Sequence, residues 1–175
     1  MSTEALCIDL AAALQRCNWR LATAESCTGG MVAAVCTDMA GASAWFERGF
    51  VTYSNAAKSE LLGVAAALIA RDGAVSESVA RAMALGALQH SQAQAALAIT
   101  GIAGPDGGSA AKPVGTVCFG WALSAPSGGV AQVIGQTLLL GGNRQAIREA
   151  ATRHALTRMA VIVSQNSMGW SETAK

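Results

Sequence analysis

Leu21-Ala22-Thr23-Ala24-Glu25-Ser26-Cys27-Thr28-Gly29-Gly30 starts apolar and turns within a few residues into small, polar and glycine residues. Met31, Val32, Ala33, Ala34, Val35 and Cys36 then follow in an apolar helical pattern. The order reads as strand, tight turn, helix. At such a junction the first helical N–H groups have no partner inside the helix, and the helix dipole favours negative charge over the turn. A hydroxyl at Ser26 would stand beside a cluster of amide donors, which suits a nucleophile whose product is an oxyanion. A plainer role is equally open, with Ser26 or Thr28 acting only as an N-cap.

Working outward, Leu6, Leu10 and Leu14 recur at four-residue spacing and predict an amphipathic helix over 3–17, ahead of a first strand at 20–24. A second helix is expected over 28–39, ended by Gly41. Aromatic and β-branched residues predict a strand over 47–54, after which Asn55 would cap a short helix, 56–62, closed by Gly63. Lys58 falls in the first turn of that helix, a poor place for a cation, which leaves it either exposed or placed for chemistry. A helical turn at 64–69 breaks at Gly73, and Ser76-Glu77-Ser78 opens a helix to about His90. A buried strand at 95–100 leads into a second glycine-rich loop, Gly101-Ile102-Ala103-Gly104-Pro105-Asp106-Gly107-Gly108-Ser109. Its glycines permit close backbone approach to a ligand, although a flexible connection has the same composition. Strands at 114–123 and 130–140, joined by a hairpin loop, precede a final helix over 144–163 and a frayed tail at 168–175. The expected architecture is α/β: one domain, 1–167, with a mixed β-sheet and helices packed on both faces. Ser26 and the loop at 101–108 both follow strands, so they are placed to share a pocket at one sheet edge.

Bulk composition narrows the function. The 175 residues suit one domain, and 52% hydrophobic against 13% charged residues means that most helices are packed. A net charge of +1 with no long basic run argues against nucleic acid as the main partner. The longest apolar run, near 64–70, is too short to span a bilayer, and the polar start (Ser2, Thr3, Glu4) lacks a signal pattern, so a cytoplasmic location is expected. Low charge and many apolar helices make a homo-oligomer reasonable. The five cysteines include no C-x-x-C pair, which fits neither a disulfide framework nor a zinc site.

A nucleophile at Ser26 needs a base. The two histidines, His90 and His154, both fall inside predicted helices. Serine–lysine pairs are an alternative, and of the three lysines Lys175 is terminal, Lys112 sits in a loop, and Lys58 follows a strand. To work at neutral pH, the pKa of Lys58 must fall by about 3 from about 10.4, roughly 4 kcal/mol of disfavoured charge. Burial and the positive end of its own helix are sources of that; a solvated surface lysine is the bland reading. Cys27, beside the helix start, is a rival nucleophile.

Ala24-Glu25-Ser26-Cys27-Thr28-Gly29-Gly30, Gly41-Ala42-Ser43-Ala44-Trp45-Phe46 and Val51-Thr52-Tyr53-Ser54-Asn55-Ala56-Ala57-Lys58 together resemble the CinA C-terminal domain family. Gly73-Ala74-Val75-Ser76-Glu77, Thr100 to Gly108 and Lys112-Pro113-Val114-Gly115-Thr116-Val117 extend the likeness over roughly 5–165. The resemblance implies hydrolysis of nicotinamide mononucleotide to nicotinate mononucleotide and ammonia by a serine–lysine pair, here Ser26 and Lys58, with no metal or cofactor. It implies site positions for Tyr53, Thr100 and Arg144 as well. In that picture backbone amides near Cys27 to Gly29, Thr28 among them, hold the oxyanion, and Gly30 is a further substrate-binding position. Amides of the loop carrying Gly101 and Gly104, or Arg144, hold the phosphate. Asp106 would bind ribose hydroxyls or serve only its turn, Arg144 reads equally as a surface residue in a first helical turn, and Tyr53 would orient Lys58, stack on the pyridine ring or merely pack. A second class of function stays open: a nucleotide-binding partner module, associated with competence or DNA damage, that performs no chemistry. Ammonia release separates the two.

Overall fold

In the computed structural model, residues 3–125 and 128–171 are described, with residues 131 and 167–171 described by their backbone alone. β1 (Leu21–Glu25) is buried along its whole length because it lies inside the sheet. It pairs in parallel with β2 (Phe46–Val51) on one side and with β3 (Ala95–Gly101) on the other. β4 (Thr116–Ser124) and β5 (Val130–Leu139) then add on antiparallel, giving the order β2-β1-β3-β4-β5. The expected mixed sheet is thus observed, with β2 and β5 as its edges. Among the described residues the α-helices are α1 (Thr3–Arg16), α2 (Met31–Thr37), α3 (Asn55–Leu62), α4 (Ala66–Asp72), α5 (Glu77–Gln89) and α6 (Arg144–Ser171).

The two-residue period of the strands sorts the core into two unequal layers. Leu21, Leu97, Ile99, Val117, Phe119 and Trp121 face one way, against Leu10 and Leu14 of α1, Val32 of α2, and Ile147, Leu156 and Met159 of α6. Ala22, Ala24, Ala96, Ala98 and Ala122 face the other way, against Leu62 of α3, Ile69 of α4 and Val79 and Met83 of α5. Small strand residues let a helix come close. A Cβ on Gly120 of β4 would lie 2.1 Å from the carbonyl oxygen of Ala80, so α5 rests with its backbone on the sheet.

Several boundaries differ from the sequence reading. α2 begins three residues later than 28, because Gly29 (φ 59°) and Gly30 (φ 95°) are left-handed. β2 stops at Val51, three residues before the expected end, with the Thr52 amide still donating to Glu25 O of β1 at 2.7 Å. Ser54, not Asn55, caps α3, accepting from the Ala57 amide at 3.0 Å, and Gly63 closes the helix as expected. α6 continues past 163 to Ser171, so residues 168–171 of the expected tail are helical, while 172–175 lie outside the described residues. Among the described residues no helix is long and apolar enough to cross a membrane.

Candidate active site

The parallel strands β1, β2 and β3 end at one sheet edge. Ser26 leaves the end of β1 and donates its amide to Ile99 O of β3 at 3.0 Å. Beyond β2, the turn at 52–54 leads into α3, whose first turn sends Lys58 back toward β1. Lys58 Nζ lies 3.1 Å from Ser26 Oγ, 2.9 Å from Thr52 O and 3.4 Å from Tyr53 O. Lys58 is 1% exposed and Ser26 8%. Among the described residues no carboxylate pairs with the amine. Burial therefore pushes the lysine pKa below its ordinary value, and nearby Cys27 opposes this in part. A neutral amine has two N–H donors and one lone pair. With the two carbonyls taking both donors of a neutral amine, its lone pair would be free to accept the Ser26 hydroxyl proton.

The mouth of α2 is occupied differently from expectation. The carboxylate of Glu25, 1% exposed, accepts from the amides of Gly30 (3.0 Å), Val32 (3.0 Å) and Ala33 (2.9 Å). It satisfies the first helical donors and offsets the helix dipole. Neither Ser26 nor Thr28 serves as the cap. The Gly29 amide is also taken, by Ser26 O at 3.0 Å. Of the amides expected near the oxyanion, that of Gly29 is thus engaged within the turn, as is that of neighbouring Gly30. The Cys27 amide has no acceptor among the described residues beyond its own sulfur. Thr28 is fully buried.

The Cys27 thiol is buried and its pKa is pushed up to about 11, mainly by loss of solvation, so it stays protonated at neutral pH. The histidine rings are engaged elsewhere. His90 lies 2.9 Å from Gly86 O, and His154 lies 3.0 Å from Gln136 Oε1 while packing on Phe119.

Around this pair, Tyr53 contributes its backbone carbonyl and is itself 64% exposed. Arg144, at the start of α6, donates to Gly104 O at 2.7 Å and to Tyr53 Oη at 3.4 Å, so it spans from the glycine loop to the β2–α3 turn. Thr100, buried at the end of β3, donates its hydroxyl to Ala74 O at 2.9 Å. Gly101 allows β4 to pass close by: a Cβ there would meet Thr116 O at 2.9 Å. Asp106 lies exposed on the loop. Three participants were not read from sequence: Thr52 through its carbonyl, Glu25, and Arg148, which donates to Cys27 O (3.1 Å) and Thr28 O (2.8 Å). The available signals were an acid at the end of an apolar strand and an arginine four residues after Arg144, on the same helix face. Among the described residues no group of three His, Cys, Asp or Glu side chains is placed to hold a metal ion.

A serine and a buried lysine at the edge of a mixed sheet, both on the expected motifs, have a family. The chain belongs to the CinA C-terminal domain family, whose model matches residues 3–163. Its relatives include the nicotinamide-nucleotide amidohydrolase PncC of Enterobacter agglomerans, 51% identical over 151 residues that make up 86% of this chain and 89% of that protein. A putative competence-damage inducible protein of Symbiobacterium thermophilum is 57% identical over 139 residues, 78% of this chain and 33% of that longer protein. The crystal structure of a competence-damaged protein (CinA) superfamily member from Klebsiella pneumoniae matches with a TM-score of 0.87 at 36% identity, covering 94% of this chain and 99% of that one.

Proposed function

We propose that this protein is a nicotinamide-nucleotide amidohydrolase that converts nicotinamide mononucleotide to nicotinate mononucleotide and ammonia through Ser26 and Lys58. The observation that carries the proposal is the 3.1 Å approach of the buried Lys58 amine to the Ser26 hydroxyl. The name of the Enterobacter relative, similar over most of both chains, supports the substrate.

Neutral Lys58 takes the proton of Ser26 as Oγ bonds to the carboxamide carbon. The carbonyl electrons move onto oxygen, which the Cys27 amide stabilises. As the intermediate collapses, the C–N bond breaks and the Lys58 ammonium gives its proton to the departing nitrogen, which leaves as ammonia. Water then attacks the acyl-enzyme; Lys58 takes its proton and returns one to Ser26 Oγ. Arg144, beside Tyr53 and Gly104, is the cation assigned to the phosphate. The steps so drawn use no metal or cofactor. A cytoplasmic location, a homo-oligomer and a single functional domain over 1–167 belong to the same reading.

Purified protein is expected to release ammonia from nicotinamide mononucleotide. Ser26→Ala and Lys58→Ala should each lose about 10³-fold or more in kcat while remaining folded. Tight binding of the nucleotide without ammonia release would favour a binding module, the reading that the name of the Symbiobacterium relative leaves open.

A further inference from the structure

The backbone of the turn after β1 is held by two opposite charges. Glu25 takes the amides of Gly30, Val32 and Ala33. From the other side, Arg148 of α6 donates Nε to Cys27 O at 3.1 Å and Nη2 to Thr28 O at 2.8 Å, reaching across about 120 residues of sequence. Among the described residues no ion pair joins Arg148 to Glu25, so each charge acts on the turn itself.

We propose that Arg148 is a positioning residue for the Ser26 reaction: its guanidinium fixes the Cys27 and Thr28 carbonyls, and through them the direction of the Cys27 amide beside Ser26 Oγ. The inference rests on the reading of Ser26 as nucleophile. Peptide units are planar, so holding a carbonyl holds the whole unit. Ser26 O is held by the Gly29 amide, which fixes the unit that carries the Cys27 N–H. Cys27 O is held by Arg148, which fixes the next unit. Arg148 also holds Thr28 O, whose peptide unit carries the Gly29 N–H, and that N–H in turn holds Ser26 O, so the guanidinium reaches the Cys27 N–H through two linked peptide units. Two donors on one edge of a planar guanidinium match two successive carbonyls; an ammonium, with a single nitrogen, reaches one. Arg148 is half-buried, and its charge is felt in the site, where it pulls down on the Cys27 thiol against the effect of burial.

The test compares wild type with Arg148→Ala and Arg148→Lys. Ammonia release from nicotinamide mononucleotide is measured across pH, together with melting temperature and the rate at which an alkyl fluorophosphonate labels Ser26. In that labelling Oγ bonds to phosphorus, fluoride leaves and Lys58 takes the proton, so the readout needs no nucleotide. Arg148→Ala is expected to lower kcat by about 10²-fold, the cost of misaligning a reacting group by about 1 Å. KM and the pH midpoint should hold, and labelling should slow in parallel. Arg148→Lys, which keeps the cation and one carbonyl contact, should recover part of kcat. Unchanged kcat in a folded Arg148→Ala variant overturns the proposal. So does a loss that appears in KM alone, or one that Arg148→Lys restores no better than Ala. If wild type releases no ammonia but is labelled, the substrate reading falls and the labelling rates alone decide on Arg148. A wild type that does neither removes the Ser26 assignment and this one with it.

Discussion

Lys58 carries its amine into a place with two carbonyls and one hydroxyl and, among the described residues, no carboxylate paired with it. Its folded pKa is lowered by burial, so between the folded value and the ordinary value of about 10.4 the unfolded chain binds the extra proton. Stability therefore rises with pH across that window, and the cost of the buried charge is fully present below it. In the proposed mechanism catalysis has the same sign, because there only the neutral amine accepts the Ser26 proton. The kcat/KM of the amidase reaction is expected to climb with pH to a plateau whose midpoint lies below that of an exposed lysine. A midpoint at about 10.4 or higher would contradict a desolvated base. At Cys27 the expectation is the reverse of a nucleophile's. With its thiol at about 11, Cys27→Ala should cost less than about tenfold in kcat/KM, and a thiol-alkylating reagent should leave the folded enzyme active.

The junction of β1 and α2 shows an element depending on one side chain. α2 is seven residues long, too short to hold itself, and its first donors end on Glu25. Glu25→Ala strands three amides near the core and is expected to cost about 3 kcal/mol, read as a fall in urea midpoint or a melting temperature lower by about 6–12 °C. On the opposite sheet face, α5 is set by the small residues of β3 and β4. Gly120→Ala drives a methyl against the Ala80 carbonyl, where the backbone of α5 cannot give way as a side chain would. Overpacking of this kind costs about 3 kcal/mol. Circular dichroism with denaturant would read it, and a variant as stable as wild type would mean that α5 can lift from the sheet.

At the scale of the molecule, the groups of the candidate site come from separate parts of the chain, and the fold is what assembles them. Ser26 follows β1, Lys58 lies on α3, Gly104 follows β3, and Arg144 and Arg148 come from α6. A ligand that bridges these parts stabilises the whole fold by mass action. In the Ser26→Ala variant, nicotinamide mononucleotide at about 100 times its Kd should add about 2.7 kcal/mol, a rise of roughly 5–11 °C in melting temperature. Inorganic phosphate alone should give a smaller shift. No shift at any nucleotide concentration would place the substrate elsewhere.

The sequence by itself determined the order of elements, the mixed sheet and the two residues, Ser26 and Lys58, that meet at its edge. Those features are local. Apolar periodicity, glycines at turns and a lysine out of place in a first helical turn are all written within a few residues of where they act. The donors around the turn were decided only in the tertiary structure. The sequence reading left the amides at the mouth of α2 open, but the fold closes them with Glu25, leaves the Cys27 and Thr28 amides without an acceptor in another residue among the described residues, and brings Arg148 from α6 onto the carbonyls. The physical reason is that a backbone donor or acceptor has the same chemistry at every residue. Which of them stays free depends on what the rest of the chain brings to it, and that is set by packing and not by neighbouring letters.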